Sequence, residues 1–200
     1  MFILASASPR RRELLEQIGA EFEIIPAKGE DVITGSSPQE VVMELSGQKA
    51  REVAERVFTS EESSDREKKT VILGADTVVA FRGQILGKPK DEADAARMLG
   101  MLSGNTHSVF TGVTVIVEEN GKQNINSFYE ETQVTMYSMT KRQIEAYIRT
   151  GEPMDKAGSY AIQGKCAVYI EKIQGDYNNV VGLPIARIFQ EMGKTGIEIL

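Results

Sequence analysis

"VILGADTVVAF", residues 71–81, is a run of aliphatic, β-branched and aromatic residues interrupted only by Gly74, Asp76 and Thr77. Such a run reads as a strand buried in a sheet. "RGQ" (82–84) and "ILG" (85–87) turn the chain back on it as a hairpin, followed by "KPKD". Working outward, "FILA" (2–5) and "FEIIPA" (22–27) read as short strands around a helix that starts at Pro9 and stops at Gly19. "SPQE" (37–40) is a capping box opening a long helix to about residue 57. Asp91 caps a helix to about residue 102. "HSVFTGVTVIV" (107–117) and "SFYEETQVTMYS" (127–138) are long strands joined by "EENGKQ" with its Asn-Gly turn signal. Thr140 with Gln143 forms a second capping box, "CAVYIEKI" (166–173) reads as a strand, and a last helix starts at Pro184. "TSEESSDREKK" (59–69) has no periodicity and reads as an exposed loop. The expected fold is α/β: one domain over residues 1–200, with a long-stranded, partly antiparallel mixed sheet and flanking helices.

Asp76 is the anomaly inside the strand. A carboxylate among apolar neighbours requires a partner, a metal or a proton. The structural alternative is that Asp76 bonds backbone N–H groups at a bulge near Gly74. Lys49 is a second anomaly. The ladder Val41, Leu45, Lys49, Val53, Val57 puts an ammonium in an apolar stripe, so either its stem packs while its head reaches solvent, or the amine meets an anion.

"ASASPRRREL" (5–14) raises the same question from the other sign of charge. Ser8 is a good N-cap and Pro9 suits the first helical position, which leaves Arg10, Arg11 and Arg12 in the first turn. Cations there cost about 0.3–1 kcal/mol each, where anions would be favoured. Arg12 has Glu16 one turn on as a simple partner. The turn from Ser6 to Ser8, the N–H groups of the helix, Arg10 and Arg11 together form an anion cradle.

Bulk composition limits the alternatives. With 29 acidic residues against 23 basic ones, the chain is not built to coat nucleic acid or an anionic membrane, so an anion site must be local. One cysteine, Cys166, and one histidine, His107, exclude a disulfide framework and multi-histidine metal sites. Both read as structural. No window approaches the roughly 20 apolar residues of a membrane span, and "FILA" has no charged region before it, so a soluble cytoplasmic protein is expected. "GEPMDKAGSYAIQG" (151–164) presents Asp155, Lys156, Ser159, Tyr160 and Gln163 between glycines, with little to bury, in a pattern that suits ligand contact.

Lys49 and Lys88 add positive charge to that of the arginines, while Glu30, Asp31 and Asp76 add carboxylates. A polyphosphate with Mg²⁺ needs both: cations for phosphate oxygens, carboxylates for the metal. The Walker loop and the kinase glycine-rich loop are absent.

The same residues resemble the Maf family of nucleoside triphosphate pyrophosphatases. Six ordered blocks carry the resemblance: "ASASPRRREL", "GADTVV" (74–79), "GKP" (87–89), "LSGNTHSVFTGV" (102–113), "EPMDKAGSYAIQG" (152–164) and "GDYNNVVGLP" (175–184). The resemblance implies cleavage between the α- and β-phosphates with Mg²⁺ or Mn²⁺, and an elongated mixed sheet with a central cleft between two lobes. Asp76 matches the family's general base, with Lys49 and Lys88 as the lysines beside it. Arg10, Thr77 and Gln163 match the positions that set substrate class, here that of the dTTP and UTP branch rather than the 7-methyl-GTP branch. Ser8 and Arg11 match further substrate-binding positions, and Glu30 joins Asp76 as a metal ligand. A small-molecule nucleoside triphosphate is the implied partner, with a homodimer implied by resemblance alone. The alternative function is a non-catalytic nucleotide-binding regulator of septum formation. One departure stands out: "LSGQKA" (45–50) puts Gly47 in mid-helix, at about 1 kcal/mol relative to alanine.

Overall fold

The computed structural model describes residues 1–59, 69–194 and 196–197. Most of the charged stretch 59–69 therefore lies outside the described residues. Among the described residues seven strands form one mixed sheet: β1 (Phe2–Leu4), β2 (Glu23–Ile24), β3 (Thr70–Phe81), β4 (Gln84–Leu86), β5 (Thr106–Glu119), β6 (Lys122–Met136) and β7 (Ile170–Gln174). Their order is β2-β1-β3-β5-β6-β7, with β4 paired to β3 off this path. β1 runs parallel to β2 and β3, whereas β3 with β4 and β6 with β7 are antiparallel. The helices are α1 (Pro9–Gln17), α2 (Pro38–Thr59), α3 (Glu92–Leu102), α4 (Lys141–Ile148), α5 (Tyr177–Val181) and α6 (Ile185–Lys194). None among the described residues is long and apolar enough to cross a membrane.

The chain divides into two compact units, each built from separated segments. The first holds Met1–Asp76, Thr111–Glu130 and Gly182–Leu200; the second holds Thr77–Phe110 and Glu131–Val181.

Local chemistry accounts for most element boundaries. Glu40 accepts from the Ser37 N–H at 3.0 Å and donates its own N–H to Ser37 Oγ at 3.3 Å, closing the box that starts α2. The Ser37 and Ser36 N–H groups, with the hydroxyls of both serines, hold the Glu40 carboxyl down to about 2. Asp91 Oδ1 accepts from the Asp94 N–H at 2.7 Å to cap α3, and Thr140 with Gln143 caps α4 reciprocally. Asn120 and Gly121, at φ 53° and 73°, make the two-residue turn of the β5–β6 hairpin, and both strands run right up to it.

In the first unit Ile3, Ala5, Ala50, Val53, Ala54, Ile72 and Ile116 form an apolar cluster, and each large aliphatic side chain buried there contributes about 1.5–3 kcal/mol. Glycine decides how α2 lies on the sheet. A Cβ on Gly74 of β3 would strike the Ser46 carbonyl of α2, and one on Gly112 of β5 would strike the Val42 carbonyl. The row Val42, Ser46, Ala50 therefore rests directly on bare strand backbone, and Lys49 stands beside that row rather than within it.

Two expectations are corrected. Residues 166–169 are not strand but part of a 3₁₀ turn, Lys165–Tyr169, that precedes β7. The partner strand marks the boundary: β6 ends at Met136, which pairs with Ile170, and past it only the Tyr169 carbonyl accepts from the next residue, the Tyr137 N–H, at 2.8 Å. The segment 151–164 does bury side chains, contrary to its polar composition. Ser159 and Tyr160 are enclosed, with Ser159 Oγ 3.2 Å from Met98 Sδ and Tyr160 Oη 2.8 Å from His107 Nε2.

Candidate active site

β3 and α2 bring Asp76 and Lys49 together. The Gly74 contact sets strand against helix one residue from Ala75, and Lys49 lies three residues beyond Ser46 on the same helix, so its side chain reaches the Asp76 carboxylate. The ammonium bonds Asp76 Oδ1, and Asp31 Oδ1 lies 3.6 Å from the same Nζ. One cation thus spans two carboxylates. Asp76 is largely enclosed, its side chain 15% exposed against 49% for Asp31. Both anomalies of the sequence resolve into one pair: Asp76 finds an ammonium rather than a bulge, and Lys49 finds an anion rather than open solvent.

Arg11 is the second feature of this unit. Its Nε donates to the Gly182 carbonyl at 2.9 Å, and its Nη1 donates to Ser6 Oγ at 3.1 Å and to the Ala75 carbonyl at 2.8 Å. Burial lowers the pKa of its guanidinium, against the pull of nearby Asp76. These three protein oxygens are neutral, and they fix the geometry of the guanidinium.

Ser8 stands at the N-cap of α1, but its hydroxyl makes no capping bond. Ser6 Oγ instead accepts the Ser8 N–H at 3.2 Å. Arg12 pairs with Glu16 at 3.4 Å on the exposed face, as the spacing implied. Arg10, half-buried, shares the first turn of α1 with Arg11.

Glu30 is exposed; the acidic residue brought to Lys49 beside Asp76 is its neighbour Asp31. Thr77, Lys88 and Gln163 belong to the second unit, Lys88 and Gln163 on its exposed surface and Thr77 half-buried. Asp155 and Lys156 pair with each other. His107 is buried and its pKa is pushed down to about 4, while burial and Glu152 push the Cys166 thiol up to about 12. Neither has the character of a reactive group.

Among the described residues no three His, Cys, Asp or Glu side chains converge as a metal cage. Asp76 and Asp31 do converge on a single cation position, that of the Lys49 ammonium. Two carboxylates fit a Mg²⁺ or Mn²⁺ ion whose remaining ligands are phosphate oxygens and water, the usual way such ions are held at nucleotide sites. Sequence reasoning did not single out Glu152 and Tyr147, whose bonds to the Lys165 and Ala161 N–H groups span 13 and 14 positions and leave no local pattern.

Fold and site together define a mixed α/β protein in which an ammonium spans two carboxylates beside a half-buried, hydrogen-bonded guanidinium. The model for Maf-like proteins matches residues 1–195, and the chain belongs to the Maf family. It is 59% identical over 201 residues to a dTTP/UTP pyrophosphatase of Agathobacter rectalis, covering 98% of each chain. A dTTP/UTP pyrophosphatase of Lachnoclostridium phytofermentans is 45% identical over 99% of this chain and 96% of the relative. One of Bacillus cytotoxicus is 51% identical over 96% of this chain and 93% of the relative.

Proposed function

We propose that this chain is a nucleoside triphosphate pyrophosphatase that hydrolyses dTTP and UTP to the monophosphate and pyrophosphate. The observation that carries the reading is the Lys49 ammonium spanning Asp76 and Asp31, beside the fixed cation of Arg11, in a chain whose full-length relatives bear that name.

Asp76 accepts the proton of the attacking water as its oxygen bonds to the α-phosphorus, while the bond to the bridging oxygen breaks and pyrophosphate leaves. Lys49 holds the carboxylate in orientation. Arg10, Arg11, Lys88 and the N–H groups at the start of α1, next to Ser8, offset the charge that builds on the phosphate oxygens. A Mg²⁺ or Mn²⁺ ion would be held by Asp76 with Asp31 or Glu30, in place of the Lys49 ammonium between them, and would supply further charge neutralisation. Thr77 and Gln163 recognise the nucleoside, the amide of Gln163 offering both a donor and an acceptor to a pyrimidine edge. We place the activity in the cytoplasm, where such nucleotides are made and used; a free, buried Cys166 is compatible with reducing conditions. A homodimer belongs to the same proposal by family likeness.

Product analysis tests the reading. With UTP or dTTP the purified chain should release monophosphate and pyrophosphate in equal amounts. Binding without turnover would favour the regulator instead, and a nucleoside diphosphate product would mean a different bond is cut.

A further inference from the structure

We propose that Tyr147 and Glu152 are positioning residues for Gln163, and that their hydrogen-bonded chain sets how strictly the enzyme selects the base. The proposal rests on the reading that Gln163 contacts the base. All of its geometry lies within the second unit.

Gln163 sits in a turn whose two ends are tied to one network. The Ala161 N–H donates to Tyr147 Oη at 3.2 Å, the Tyr147 hydroxyl donates to Glu152 Oε1 at 2.7 Å, and Glu152 Oε2 accepts the Lys165 N–H at 3.0 Å. The turn closes on itself through the Gly164 N–H and the Ala161 carbonyl at 3.2 Å. Its flanks are anchored too, since Ile162 and Cys166 are buried while Gln163 is exposed. Gly164 packs so closely on the Glu152 carboxylate that a Cβ there would collide with it.

The anchor is itself rigid. Tyr147 is 4% exposed on α4, and both burial and the Glu152 bond raise its pKa, so the hydroxyl stays protonated and remains the donor. The Glu152 N–H donates to Thr150 Oγ1 at 3.3 Å, and Thr150 Oγ1 in turn donates to the Tyr147 carbonyl at 2.7 Å. An amide that reads a base edge discriminates only when its backbone is held to a fraction of an ångström. Uracil and cytosine differ in whether the edge presents a carbonyl or an amine, so a loosened Gln163 loses that distinction first.

The experiment compares Tyr147→Phe, Glu152→Gln and Gly164→Ala with the wild type, measuring kcat and KM for UTP and for CTP. The expected result is a fall of about tenfold in the UTP-over-CTP ratio of kcat/KM for Tyr147→Phe, carried by KM for UTP rather than by kcat. Glu152→Gln keeps one amide oxygen for the Lys165 N–H and should fall less, a graded rescue that general destabilisation would not produce. Hydrogen exchange at the Ala161 and Lys165 amides reads the clamp without turnover, and should quicken in each variant. If Tyr147→Phe does not fold, the other two carry the comparison. A selectivity ratio within threefold of wild type in the folded variants overturns the proposal, whatever happens to their melting temperatures. A wild type idle on both UTP and dTTP would instead sink the functional reading and the selectivity role with it, and is told apart because it shows before any variant is compared.

Discussion

Arg11 Nη1 donates to the Ala75 carbonyl at 2.8 Å, one residue before Asp76. The guanidinium therefore acts on the site through the backbone: it pins the strand that carries the carboxylate while its charge stays beside it. Arg11→Lys keeps the charge and loses the fork of directed bonds to Gly182, Ser6 and Ala75. The variant should lose about 2 kcal/mol of stability and show a lower kcat on UTP, read by denaturant titration and pyrophosphate release.

Asp76→Asn removes the proton acceptor and keeps the shape. Lys49 retains Asp31 at 3.6 Å, so its ammonium is not stranded. Turnover of UTP should fall by about 100-fold or more, with UTP affinity by calorimetry largely kept. Normal turnover in this variant would remove Asp76 from the chemistry.

Chelation should stop pyrophosphate release, and added Mg²⁺ or Mn²⁺ should restore it. Asp31→Asn should raise the Mg²⁺ concentration needed for half-maximal rate while leaving the melting temperature unchanged, because this carboxylate is half exposed. The same shift from Glu30→Gln, with none from Asp31→Asn, would assign the ligand role to Glu30 and not to Asp31.

Stability should fall on acidification because of His107. Its imidazole is neutral in the folded chain down to about 4, whereas in the unfolded chain it binds a proton below about 6.5. Between those values the unfolded state holds more protons, so the contribution is complete above about pH 6.5 and is lost towards pH 4, on the order of 3 kcal/mol. His107→Phe should flatten this part of the pH profile of the urea midpoint, separating it from the Glu40 carboxylate, which titrates lower.

Two glycines should respond with opposite signs. Gly112→Ala drives a methyl into the Val42 carbonyl, a backbone atom that cannot step aside, and should cost about 3 kcal/mol. At Gly47 a methyl meets only the end of the Arg51 side chain, 3.0 Å away and free to move, so Gly47→Ala should gain about 0.5–1 kcal/mol. Thermal melts of the two variants decide both.

Elements and their ends were legible where the signal is local. The capping boxes at Ser37 and Thr140, the Asp91 cap and the Asn120–Gly121 turn each depend on residues within four positions, and α2, α3, α4 and the β5–β6 hairpin follow from them. Asp76 and Lys49 were visible as misplaced charges because periodicity makes a polar residue in an apolar row conspicuous. Their pairing was not, since it depends on Gly74 and Gly112 admitting α2 onto the bare sheet.

The sequence by itself determined the kinds of element, their order and the presence of unbalanced charges, because those are set by spacing along the chain. Only the tertiary structure decided which groups meet: that Arg11 is tied to Ala75 and Gly182, that Asp31 rather than Glu30 joins Lys49, and that the strand pairing of β7 begins at Ile170, after a 3₁₀ turn. The physical reason is that a hydrogen bond across 64 or 171 positions, like those of Arg11, has no counterpart in local propensity. It exists only once packing has brought the two segments within 3 Å of each other.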